Sequence, residues 1–461
     1  MNAAASGSAP SVSVEIDDIQ SAALHPRPAP YVGRFVFLRV DDRHAGRALL
    51  RRLLPAIEGG LPSADPNQDA WVAVAFTYQG LRAVGVPPET LDSFPLEFRQ
   101  GMAARADVLG DVGESDPAHW EPPFGSPDVH IALSALAPDV ARLDKALERA
   151  RTALQETPGV QVIWQQEVHQ LPTGRTTFGF RDGISHPSIE GVGIPGSNPQ
   201  EAPLKAGEFI LGYPDESGQP YPMPMPEVSR NGSYMAYRRL EEHVGKFRDF
   251  LAEHGDTPEE QELIAAKLMG RWRSGAPLTL APEKDDPELG ADLERCNDFS
   301  YKDNDPHGYA VPLGSHMRRM NPRDTAANIN RRRMIRRGAT YGSHLPEGEK
   351  DDGSERGIAA FVICANLIRQ FEFAQNVWVN DKNFHELQNE RDPIIGNAHD
   401  GTLEYKIPKR PIRKKITGLP AFTTVRGGAY FFLPGIKALN YLAKLGSAAE
   451  TTAPALEGVK A

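Results

Sequence analysis

Cysteine is scarce in this chain. Cys296 and Cys364 are its two cysteines in 461 residues, and they form no CxxC pair. That excludes a disulfide scaffold and a thiolate zinc site. No apolar run approaches the roughly 18 residues that a membrane span requires. Positive charge is in deficit, with 51 Lys+Arg against 61 Asp+Glu and a net charge of −10. This argues against a general nucleic-acid binder. The segment Met1–Pro10 has no charged region followed by an apolar one, so no secretory leader is read there. With few cysteines, the expectation is a cytoplasmic protein. There is no GxxxxGK[ST] phosphate loop, no HExxH and no GxSxG. Gly191, Gly193 and Gly196 form a nominal GxGxxG, but Pro195 interrupts it and neither a strand nor a helix flanks it.

What is present is ordinary for a globular protein: 24% charged and 40% hydrophobic residues. The length allows about two or three domains. Residues 1–30 read as a flexible arm and 446–461 as a flexible tail. Between them, strand patterns appear over 34–40, 71–77, 129–136 and 160–168, with helical spacing over 45–54 and 139–154. The order βαβ, βαβ is that of a ferredoxin-like unit. A second unit follows, with strands over 233–239 and 357–366, helices over 240–253, 259–271, 367–377 and 436–445, and a strand pair or bent strand over 421–433. The expected fold is α+β: a half over 31–170, a linker over 171–232 and a second half over 233–445. The long Gly/Pro/Asp/Asn stretches between elements are of the kind that carry function.

Two stretches hold the chemistry. In Thr177–Ser185, Gly179 and Gly183 bracket Phe180-Arg181-Asp182, a tight turn able to aim one carboxylate inward. Read locally, an ordinary Asp-Gly turn is the commoner account of such a string. Pro306–Gly342 holds His307, His316 and the arginines Arg318, Arg319, Arg323, Arg331, Arg332, Arg333, Arg336 and Arg337. Such an island suits an anionic partner: nucleic-acid phosphate, a nucleotide or the propionates of haem. For most of these arginines the blander reading is a solvated basic face. His316 is the candidate metal ligand, since imidazole is a common axial ligand of haem iron. His186, His344, His385 and His399 show no metal-ligand spacing and read as solvent or structural residues.

Taken together, these strings resemble the dye-decolorizing (DyP-type) haem peroxidases, in their long-chain subgroup. Gly179-Phe180-Arg181-Asp182-Gly183 is similar to that family's GxxDG motif. PLGSHMRRMNPR resembles its proximal-histidine segment, and MIRRGATYG its distal-arginine segment. The resemblance runs from about Val14 to Leu445. It implies two ferredoxin-like halves, barrel-like and enclosing haem b, with hydrogen peroxide and an aromatic dye or phenolic donor as partners and neither nucleic acid nor membrane. The implied reaction is peroxide reduction followed by donor oxidation at acidic pH. The oligomeric state, monomer or homo-oligomer, stays open.

Residue by residue, the resemblance makes His316 the iron ligand. Asp392 is the first candidate to hold its other ring nitrogen and Glu372 the second. Asp182 and Arg336 become the distal catalytic pair, Arg336 being selected over Arg337 by the R-x-G spacing to Gly338. Gly179, Phe180, Arg181 and Gly183 frame the distal loop. Ile358, Ala360 and Phe361 fall where the family often has a Leu and a Phe over the haem. Strand alternation would turn Phe361 away from the face that Ile358 and Ala360 share, and a small residue at 360 would open the pocket. Tyr341, Trp378 and Trp272 are candidate relays to donors at the surface. The rival readings are another haem enzyme of the same architecture, such as a chlorite dismutase, a haem-trafficking protein, and an RNA binder using the arginine island.

Overall fold

The computed structural model describes residues 13–60, 70–397 and 403–446. The expected tail from 447, His399 and the start of the arm lie outside them. Ten strands are described: β1 (Val32–Val40), β2 (Trp71–Phe76), β3 (Ile131–Ala137), β4 (Val160–His169), β5 (Ser233–Glu242), β6 (Ile335–Tyr341), β7 (Gly357–Cys364), β8 (Glu404–Ile407), β9 (Lys414–Thr417) and β10 (Thr423–Leu433). β8 and β9 form a hairpin, and the other eight form one antiparallel sheet in the order β4-β1-β3-β2-β10-β5-β7-β6. Each half therefore has the same order, 4-1-3-2 in its own strand sequence, which is the ferredoxin-like arrangement expected.

The two edge strands meet. Tyr31, at the start of β1, shares a 2.9 Å hydrogen bond between its hydroxyl and the Thr340 hydroxyl of β6, and accepts another from the Thr340 backbone N–H. The Thr340 hydroxyl also donates to the His169 carbonyl at the end of β4. The sheet thus closes into a barrel. Its interior is aromatic because alternate residues on each strand point inward. Phe361 lies 5.0 Å from Phe35 and 5.0 Å from Tyr237, between ring centroids, and Phe37 packs on Phe431 and Trp164.

β2 and β3 are buried along their whole length. Of the helices outside the sheet, Arg43–Leu53 packs on β1 and β4, Val140–Gln155 on β1, β2 and β3, and Ile436–Lys444 on Arg43–Leu53. The first and second of these begin on aspartate caps, Asp42 and Asp139, which accept from backbone N–H groups three residues on. The segment 13–30 is not a loose arm. Ile19, Ala22, Ala23 and Leu24 are buried, and Gln20 bonds to the backbone of Val74 and Pro434. The expected helix over 367–377 is present as two π-helical stretches, Ile368–Glu372 and Ala374–Val379. The stretch 421–433 is one bent strand with a bulge between Val425 and Gly427.

Candidate functional site

The site lies on the outer face of β6 and β7. On β7 the buried residues Ala359, Phe361 and Ile363 alternate with the half-buried Ile358, Ala360 and Val362. β6 pairs with it so that Arg336 stands opposite Val362, Gly338 opposite Ala360 and Thr340 opposite Ile358. Arg336 and Gly338 therefore share a face with Ile358, Ala360 and Val362. Arg337, one residue on, points the other way and donates to the Ala22 and Ala23 carbonyls. Alternation alone thus separates the two adjacent arginines and leaves Arg336 on the candidate face. Phe361, at a position where the family resemblance suggests a haem contact, lies in the barrel core, on the side to which strand alternation turns it.

Asp182 is brought to this face by the turn between two glycines with left-handed backbone, Gly179 at φ +84° and Gly183 at φ +78°. At Gly179 a Cβ would come within 2.5 Å of the Arg273 guanidinium, so only glycine fits without displacement. Phe180 is buried beneath Arg273, and Arg181 donates to the Gly290 carbonyl. Both brace the loop and neither reaches the Asp182 carboxylate. That carboxylate accepts the Gly183 N–H at 2.7 Å and an Arg27 N–H at 3.1 Å. Its side chain keeps 46% of its surface accessible although protein surrounds it, so it lines an internal recess.

Burial pushes the Asp182 carboxyl up, but the charges of Arg27 and Arg336 and the Gly183 N–H outweigh it and hold it below the usual carboxylate range. Arg336 donates to the Ser185 hydroxyl at 2.7 Å. Of the two readings for His186, solvent or structural, the structure favours the second. Its ring lies in the field of Arg337, Arg336 and Asp182, and burial, followed by the two arginines, lowers its pKa to about 3. It is therefore a neutral imidazole at working pH.

His316 starts a one-turn helix, His316–Met320. Its Nδ1 bonds to Asp392 Oδ2 at 2.9 Å. Asp392 is itself fixed by the Ile394 and Ile395 N–H groups, at 2.9 and 3.0 Å on Oδ1. Burial opposes ionisation of Asp392, yet His316 and these N–H groups keep its carboxyl below the usual range. Glu372, the second candidate, is committed elsewhere: it takes a two-pronged ion pair from Arg105, at 2.9 and 2.6 Å, and a bond from the Tyr430 hydroxyl. Met320, four residues after His316, and Met334, two before Arg336, pack on one small cluster with Trp378 and Phe384. The His316 helix and the residue that precedes β6 thus border the same apolar cluster.

The donor set fits a haem. With Nδ1 held by a carboxylate, His316 keeps Nε2 for a metal. One wall supplies aliphatic side chains and a carboxylate–guanidinium pair. Among the described residues no cluster of three or more His, Cys, Asp or Glu could hold a metal ion by itself.

Sequence reasoning missed Arg27. It stands between Pro26 and Pro28 in what reads as a flexible arm, and only the tertiary fold carries it to Asp182. The arginine island is not a free basic surface. Arg318 pairs with Asp305, Arg331 with Asp215 and Arg333 with Glu201, Arg319 and Arg323 bond to backbone carbonyls, and Arg332 lies over Phe373. The candidate relays Tyr341, Trp378 and Trp272 are all buried rather than at the surface.

Fold and donor set first define the class: an α+β barrel with a site of the kind that holds haem. Residues 31–167 match the family model described as the DyP dimeric alpha+beta barrel domain. The dye-decolorizing peroxidase of Mycena epipterygia is 30% identical over 485 residues, spanning 93% of this chain and 87% of that one. Peroxidase 2 of Mycetinis scorodonius is 31% identical over 475 residues, 95% of this chain and 89% of that one. A solved dye-decolorizing peroxidase in complex with 2,6-dimethoxyphenol aligns with a TM-score of 0.81 at 27% identity, over 93% of this chain and 100% of that one. The chain belongs to the dye-decolorizing peroxidase family.

Proposed function

We propose that this protein binds haem b through His316 Nε2, reduces hydrogen peroxide with Asp182 and Arg336, and oxidises aromatic dyes or phenolic donors. The observation that carries the reading is the presence of two devices: an imidazole held by a buried carboxylate, and a carboxylate held among guanidinium groups. Bound haem would supply the redox chemistry and the metal that peroxide meets.

The protein's own contribution is orientation, charge and a proton path. Asp392 fixes the His316 tautomer and raises its basicity as a ligand. Asp182, ionised even in mild acid, takes the proton from one peroxide oxygen and returns it to the other. Arg336 stabilises negative charge as it develops on the departing oxygen. Ile358, Ala360 and Val362 supply an apolar wall. An acidic working range follows, because lowering the pH leaves Asp182 a base until its own depressed pKa is reached.

The test is an absorption spectrum of the purified protein before and after one equivalent of peroxide, with Asp182→Asn and Arg336→Leu beside wild type. A Soret band that shifts with peroxide, and a slower shift in both variants, is expected. Wild-type rates in both variants would remove the distal assignment, and a Soret band that never responds to peroxide would indicate a haem carrier.

A further inference from the structure

We propose that Arg27 is a positioning residue for Asp182, so that the distal site is completed by the N-terminal segment rather than by the loop and β6 alone. This rests on the reading of Asp182 as the distal proton carrier.

Arg27 makes three contacts at once. One terminal nitrogen bonds to Asp182 Oδ2 at 3.1 Å, the other to the Gly338 carbonyl on β6, and the guanidinium carbon lies 4.1 Å from the Tyr31 ring centroid. Only 18% of its side chain is exposed. Its backbone has little freedom. Pro26 precedes it, and Pro28 disfavours helical backbone at residue 27. The segment before it is tied down as well, by Arg337 on the Ala22 carbonyl at 3.2 Å and by the His25 ring at the Gly60 carbonyl at 3.0 Å.

A guanidinium fork suits this task because its donors diverge in a fixed plane. One arm reads the sheet edge and the other the carboxylate, so the Asp182 side chain is referenced directly to β6, the strand that carries Arg336. The other charged or titratable groups facing Asp182 are Arg336 from β6, His186 from its own loop and Glu242 from β5. Glu242 and Asp182 raise the cost of charging one another. Of the two arginines, Arg27 contributes more to keeping Asp182 ionised.

The test uses haem-loaded protein and cyanide as the probe. Hydrogen cyanide loses its proton on binding, so its association reports the distal base without any turnover. The pH dependence of the association rate is followed at the Soret band in wild type, Arg27→Gln, Arg27→Lys and Asp182→Asn, with haem content and melting temperature recorded for each. The acid limb should move up by about one pH unit in Arg27→Gln, at the low end of what loss of a neighbouring guanidinium does to a carboxylate. Arg27→Lys keeps the charge but not the fork, and should recover roughly half of that displacement. A wild-type limb in both overturns the proposal. Should Arg27→Gln fail to load haem, Arg27→Lys decides alone: a limb displaced from wild type supports the proposal, and a superimposable one overturns it. If Asp182→Asn keeps the limb, the distal role of Asp182 falls, which is a different failure from that of Arg27.

Discussion

Replacing Asp392 by asparagine changes one buried oxygen and tests how His316, the proposed iron ligand, is held. In the native arrangement Oδ2 accepts from His316 Nδ1 at 2.9 Å, while Oδ1 accepts from two backbone N–H groups. Asparagine can keep its carbonyl on the Ile394 and Ile395 N–H groups. Its NH2 then faces Nδ1–H, donor against donor. Either the imidazole changes tautomer and loses Nε2 as a ligand, or the ring turns. A hydrogen bond to a charged group contributes about 1.5–3 kcal/mol, and loss of such an outer partner weakens metal binding by roughly 10–100-fold. The expected result for Asp392→Asn is haem loss faster by that factor, measured as transfer to an excess of an apo-globin scavenger. The iron midpoint potential should also rise, since the ligand is less basic. Glu372→Gln is the matched control: it breaks the buried pair with Arg105 and lowers the melting temperature, but leaves haem release unchanged. If Asp392→Asn releases haem at the wild-type rate and keeps the wild-type potential, the pairing has no part in holding the ligand.

Two further outcomes are expected. Phe361→Ala removes an inward ring of the barrel and should cost about 3–5 kcal/mol in denaturant unfolding, while the Soret position and cyanide affinity of the folded fraction stay as in wild type; a changed cyanide affinity would return Phe361 to the haem face. Glu242 is buried, and burial followed by the charge of Asp182 pushes its carboxyl up to about 8; the folded state therefore holds a proton that the unfolded chain has released, and stability should fall by up to about 1.4 kcal/mol per pH unit as the pH rises from near 4.5 to near 8. Glu242→Gln keeps the protonated shape and should flatten that decline in urea midpoints taken across the range, whereas an unaltered slope would contradict the assignment.

The sequence pattern is a good guide wherever one face of an element is apolar. Strands β1 to β5, β7 and β10 are legible in this way, and so is the helix Val140–Gln155. β6 is not, because neither of its faces looks apolar: Arg336 fronts the recess, and Arg337 is buried on the other face by bonding to carbonyls of the N-terminal segment. Asp182 stands in a string with a tight backbone requirement, between Gly179 and Gly183, whereas His316 is singled out only by the resemblance of its segment to the family's proximal one. Arg27, Asp392 and Glu372 are decided by tertiary contacts that no window of sequence contains. Asp392 and Glu372 are equally buried acids, and what separates them is that Arg105 reaches one and His316 the other. The π-helical stretches over 368–379 likewise read as a plain helix, since their periodicity differs little over so short a run.

The strand order is the same in both halves, so what leaves the candidate site on the second is the length of its connections. In the first half the crossovers from β1 to β2 and from β3 to β4 are short, and their helices, Arg43–Leu53 and Val140–Gln155, lie down on the sheet and cover it. The equivalent crossovers of the second half, from β5 to β6 and from β7 to β10, are far longer. The first carries His316 and the second Asp392, so this hydrogen-bonded pair is assembled from the two connections that the symmetry makes equivalent. On β7, Ile358, Ala360 and Val362 stay half-buried rather than fully covered. β6 is also an end of the hydrogen-bonded sheet: it pairs with β7 on one side and meets β4 through side chains rather than a ladder. Its Gly338 carbonyl is therefore free of strand pairing on that side, and this is the group that Arg27 takes. Length of crossover and openness of seam, rather than any difference in strand order, convert one of two similar halves into a site.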